Sequence, residues 1–143
     1  MKTTKTSSTV PNDAVITVCR YLRPVALFET GFGYSNLGGT TFVFKMDYSK
    51  RTVAVKFSIC RANENFNKKE GLRFAERQDG DVYNLDRFQA LADDLGGFTN
   101  AYLSLLNSKY VAGTLTTREN TLFNTMMSLQ HSTEQLAVEA SNS

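Results

Sequence analysis

Histidine is nearly missing from this chain and cysteine is scarce: one His, at position 131, and two Cys, at positions 19 and 60. A zinc site needs ligands in close-spaced pairs, and these three residues form none. The same scarcity removes a Cys–His nucleophilic pair, and no Gly-x-Ser-x-Gly motif replaces it. The acidic residues do not fill the gap. Asp93 and Asp94 are adjacent, so on a helix they point to different sides. An enzyme is therefore not expected, nor a cofactor or a metal. Cys19 and Cys60 make no disulfide framework and are expected as small buried thiols in a reducing compartment. Long apolar runs are also lacking: none approaches the roughly 20 residues of a membrane helix. The first thirteen residues, MKTTKTSSTVPND, have no apolar centre of the signal-peptide kind. The expected location is cytoplasmic, in the host cytoplasm if the chain is viral.

What is present suits one soluble domain. The 143 residues are 41% hydrophobic and 21% charged, ordinary for a globular protein with a real core. The net charge of +2 conceals an asymmetry. Thirteen Lys and Arg face six Asp and Glu through Arg77, whereas three face eight from Gln78 onward. A basic first half implies a surface for an anion, and nucleic acid is the extended anion that fits.

The basic residues concentrate between Thr41 and Gln78, which holds nine of the sixteen. Phe42, Phe44 and Met46 alternate with Val43, Lys45 and Asp47, the period of a half-buried strand. After the connection Asp47–Arg51 the alternation resumes, with Val53, Val55, Phe57 and Ile59 on one face and Lys56 on the other. An antiparallel hairpin follows, with one apolar face and one basic face carrying Lys45 and Lys56. Asn67, with Glu70 three residues on, signals a helix start, and the helix is expected to cross one end of the sheet. Helical spacing puts Lys69, Arg73 and Arg77 in one column, while Leu72, Ala75 and Phe74 supply the packing side. Candidate phosphate contacts are therefore Lys45, Lys50, Arg51, Lys56, Arg61, Lys68, Lys69, Arg73 and Arg77.

Upstream, residues 1–13 read as a mobile arm, Ala14–Leu22 as a strand, and Val25–Glu29 as a second strand or a continuation past a bulge. The segment Thr30–Thr40, TGFGYSNLGGT, reads as a flexible glycine loop. Its Phe32 and Tyr34 either stack on bases or tuck inward, and Tyr48 is a further candidate stacker. Downstream the period becomes helical: Leu85–Leu95 ending at Gly96-Gly97, then Phe98–Tyr110, then a helix opened by a Thr116–Glu119 capping box. That last helix carries Leu122, Phe123, Met126 and Met127, a stripe for the core or for an oligomer and partner surface. The fold expected is α+β: an antiparallel sheet in the N-terminal half followed by three to four helices. A single domain spans 14–131, with a polar tail over 132–143.

The run CRANENFNKKEGLRFAER, entered from a strand, resembles small phage proteins of the Drc type, single-stranded-DNA-binding cofactors of a phage-encoded RNA polymerase. More distantly, strands followed by a basic helix are similar to Whirly-type single-strand binders. The resemblance spans Phe42–Arg77. It implies sequence-tolerant binding of single-stranded DNA, a homo-oligomer, and a role in holding promoter or replicating DNA with the polymerase as partner. Two other readings stay open: an adaptor or inhibitor gripping a host protein, and a small structural virion component.

Overall fold

The hairpin and helix of Thr41–Gln78 form the middle of the fold. The computed structural model describes residues 14–28 and 31–127. The expected arm, the expected tail and His131 lie outside them. In chain order the elements are β1 (Val15–Leu22), β2 (Val25–Phe28), β3 (Gly31–Tyr34), β4 (Leu37–Asp47), β5 (Thr52–Asn65), α1 (Lys68–Glu76), β6 (Asp81–Asn84), α2 (Leu85–Leu95) and α3 (Phe98–Ala112). A further helix, α4, occupies 117–127. Strands β1, β4, β5 and β6 make one antiparallel sheet in that order, and β2 pairs with β3 in a separate ribbon. The fold is α+β, with an N-terminal antiparallel sheet and four helices among the described residues.

The strand alternation sorts side chains into two layers. Phe42, Phe44, Met46, Val53, Val55 and Phe57 point to one face, where α2, α3 and α4 close over them. Phe44, Phe88 and Phe98 form a triangle of rings with centroids 5.4–5.9 Å apart, and Phe42 meets Tyr102 edge-on at 6.2 Å. Each large side chain so buried contributes roughly 1.5–3 kcal/mol. Gly96 ends α2 in the left-handed region at φ 86°, which lets the chain reverse into α3. Leu122, Phe123 and Met126 of α4 are buried in this same core. Only Met127 of the expected interface stripe is exposed, at 46%. The stripe is therefore core, because α4 docks on α3 and the sheet.

Three expectations change. Thr30–Thr40 is not a glycine loop: Gly31–Tyr34 pairs with Val25–Phe28, and Leu37 already begins β4 at a bulge before Gly39. The fourth strand of the main sheet comes after α1, from Asp81–Asn84, four residues too short for alternation to reveal. Finally, α1 does not cross one end of the sheet. It lies along β4 and β5 on the face opposite the core.

A polar cluster ties β6 to α3 and α4. Lys109 Nζ donates to Glu119 Oε2 at 2.6 Å and to Asp81 Oδ2 at 3.4 Å. Glu119 also caps its helix by accepting from the Thr116 N–H at 2.9 Å, while its own N–H donates to Thr116 Oγ1. Burial works to raise the Glu119 carboxyl, but hydrogen bonds with Asp81, Lys109 and Thr116 outweigh it and hold it at about 2. Asp81 moves the other way, raised by burial first and then by its neighbour Glu119.

Candidate nucleic-acid interface

Helix α1 forms where the capping signal stands: Asn67 Oδ1 accepts from the Glu70 N–H at 3.0 Å. Its inner side is made of small residues. Ala75 is fully buried, as is Val43 on β4, and Gly71 stands against Thr41. Ser58 Oγ donates to the Gly71 carbonyl at 2.7 Å. The helix thus sits close to the sheet, and this closeness decides the fate of the expected basic face. Lys45 Nζ pairs with Glu76 Oε2 at 2.6 Å, and Lys56 Nζ donates to the Glu76 carbonyl at 3.2 Å. Both are half-buried beside α1, their ammonium groups committed to its C-terminal end. The open basic sheet face read from the alternation does not exist.

The outward side of α1 carries the column. Lys69, Arg73 and Arg77 are all exposed, and Arg73 meets Glu70 only at 4.0 Å. Phe74, expected on the packing side, instead joins them on the surface, 43% exposed, with the Arg73 and Arg77 guanidinium carbons 5.1 and 6.0 Å from its ring centre.

At the N-terminal end of α1 a second group of cations and rings converges from three segments. Lys68 Nζ sits 4.9 Å from the Tyr21 ring centre, and Tyr21 meets Phe66 edge-on at 6.0 Å. Arg23 lies over Phe66 at 4.9 Å and over Tyr34 at 5.6 Å, and donates to the Ser35 carbonyl at 2.8 Å. Tyr34 is 64% exposed, so its ring is a surface platform. Phe32 occupies β3 opposite Leu27, and its side chain lies outside the described residues.

The remaining candidates fall elsewhere. Lys50 and Arg51 are exposed in the β4–β5 turn, where Arg51 takes φ 53° and forms an ion pair with Asp86. Tyr48, in the same turn, is half-buried against the core, with Arg51 5.8 Å from its ring centre. Arg61 is exposed at the opposite end of the hairpin, roughly 33 Å away along the strands.

No protein-family model, curated protein or solved structure matches the chain. The site therefore stands on its geometry. Among the described residues no group of three or more His, Cys, Asp or Glu is placed to hold a metal ion. No described helix is long and apolar enough to cross a membrane. Cys19 and Cys60 are free thiols, each half-buried.

The sequence reading missed Tyr21, Arg23, Phe66 and Phe74 as members of one surface. A signal was present in the pairing of ring and cation within Tyr21–Arg23, Phe66–Lys68 and Arg73-Phe74. Their meeting depends on the register that sets Tyr21 opposite Thr41, beside α1.

Proposed function

We propose that this protein binds single-stranded DNA along the outer side of α1 and the cluster at its N-terminal end. The observation that carries the reading is Phe74, an exposed ring flanked by Arg73 and Arg77 on the column that Lys69 begins. Lys68 with Tyr21, and Arg23 with Tyr34, continue the same alternation of charge and ring. Cations spaced along a ridge take successive phosphates, and rings between them accept base faces at roughly 1–3 kcal/mol per stacked base. The chemistry is binding, with no bond made or broken. The resemblance to Drc-type proteins supplies the setting: a phage protein of the host cytoplasm that holds single strands at a promoter or fork for a phage RNA polymerase. Self-association would lengthen the track and raise avidity without new contacts per protomer.

The test is the double variant Arg73→Glu/Arg77→Glu, titrated against single-stranded and duplex oligonucleotides. Fold stability should shift by under about 1 kcal/mol per charge, since both side chains are exposed. Single-strand affinity should fall far more, and the parent's log K should fall with log salt at about −0.7 per phosphate neutralised. A double variant that binds like the parent, or a parent indifferent to salt, would reduce the column to a solvated helix face.

A further inference from the structure

Beside the exposed ridge, between α1 and the far end of β5, runs a groove of about 530 Å³. Small-molecule sites typically span about 300–1,000 Å³. Two rings help to line it, Phe66 from the β5–α1 connection and Phe74 from α1. The polar lining is mixed: Glu64 and Glu70 stand there with Asn65, Asn67, Gln78 and Arg118. The Arg118 guanidinium is engaged by the Phe57 carbonyl and ring, and the Gln78 amide by the Phe74 carbonyl, which leaves the two carboxylates as its free charges among the described residues. Glu64 and Asn65 sit where β5 leaves its regular pairing, and the Cys60 thiol holds this bend by lying 3.5–3.6 Å from the carbonyls of Arg61, Glu64 and Asn65. Phe74 belongs both to this groove and to the ridge, so Arg73 and Arg77 stand at its rim.

Cations at a rim with rings and carboxylates inside match one nucleotide turned out of a strand. Its phosphate stays on the guanidinium groups, its ring system lies against the aromatic walls, and its polar edge meets the acceptors. Ionised carboxylates accept hydrogen bonds and cannot donate them. Cytosine, adenine and guanine each offer an exocyclic amine at an edge, whereas the one edge donor of thymine, its N3–H, lies between two carbonyl oxygens that a carboxylate repels. We infer that this groove holds one unstacked base and selects a base bearing an exocyclic amine over thymine. The inference rests on the single-strand reading above and adds discrimination to a surface otherwise tolerant of sequence.

The clean comparison is among pyrimidines. Oligonucleotides of about twelve residues, within the usual footprint of single-strand binders, are made of dC, of 5-methyl-dC and of dT and titrated by fluorescence anisotropy at neutral pH. The second keeps the methyl group of dT and differs from it in the amine that replaces O4 and in an N3 that carries no proton. The parent should bind dC and 5-methyl-dC about tenfold tighter than dT, as one good base contact allows. Glu64→Gln/Glu70→Gln should bring that ratio close to one while dT binding holds or strengthens, because charge repelling the strand has been removed. Equal affinity of the parent for all three, 5-methyl-dC behaving like dT, or a ratio unchanged in the Gln variant would each overturn base selection by the groove. The Arg73→Glu/Arg77→Glu variant separates this failure from that of the single-strand reading. If it loses all three strands while the parent treats them alike, only the groove inference falls; if it binds them like the parent, or the parent binds none, both fall.

Discussion

The Thr41 hydroxyl occupies the space where a side chain on Gly71 would begin. Thr41 is buried in β4, and Gly71 lies at the middle of α1, so this pair sets how closely the helix approaches the sheet. Alanine at position 71 would gain about 1 kcal/mol of helix propensity. Overpacking against Thr41 costs about 1–3 kcal/mol, so Gly71→Ala is expected to destabilise. Thr41 Oγ1 has no hydrogen-bond partner among the described residues. Thr41→Ala/Gly71→Ala should therefore recover most of the loss. A double-mutant cycle by urea unfolding measures the coupling, and additive losses would show that the two residues do not compete for space.

Lys45 and Lys56 should be structural cations. Lys45→Met and Lys56→Met remove the two contacts to Glu76, at a cost of up to about 1 kcal/mol each because the pairs are half exposed. Single-strand affinity should hardly change, since both ammonium groups are committed to Glu76 beneath α1. A loss as large as that of the Arg73/Arg77 variant would mean that the strand reaches beneath α1.

Tyr34→Ala separates stacking from packing. The ring is exposed, so thermal stability should hardly change. Affinity should weaken by roughly 1–3 kcal/mol if a base lies on the ring. A lower melting temperature at unchanged affinity would return Tyr34 to a purely structural role beside Arg23.

Glu119 makes the fold sensitive to acid. Its carboxyl is held at about 2 against an ordinary 4.5, so the folded state keeps it ionised more strongly than the unfolded chain does. That stability is fully present above about 4.5 and is lost as pH falls toward about 2. Asp81, shifted upward, works in the opposite sense and relieves repulsion as it gains a proton. Glu119→Gln should cost about 2 kcal/mol at neutral pH, the scale of a hydrogen bond to a charged group. The gap between parent and variant should narrow between pH 5 and 2 in urea titrations. A gap that stays constant over that range would show that the ionisation of Glu119 adds nothing to stability.

Local chemistry determined much of this protein from sequence. The alternation of Phe42 to Ile59 set the hairpin, because a half-buried strand must place apolar residues at every second position. Asn67 and the Thr116–Glu119 pair opened their helices, since a helix start needs acceptors within three residues. Gly96 closed α2 for the matching reason at the other end. Helical spacing alone put Lys69, Arg73 and Arg77 in one column.

Tertiary structure decided what each face meets. Alternation separates Lys45 and Lys56 from the apolar side but is silent on what covers them. Their long apolar stems tolerate a neighbouring helix while the ammonium groups reach its last carboxylate and carbonyl. The stripe of Leu122, Phe123 and Met126 has the same pattern whether it enters a core or an interface, and only the docking of α4 placed it in the core. Tyr21, Arg23, Tyr34, Phe66 and Lys68 come from separate segments, and strand register with helix placement brings them together. Periodicity reports which side chains share a face; which surface closes over that face depends on residues distant in the chain.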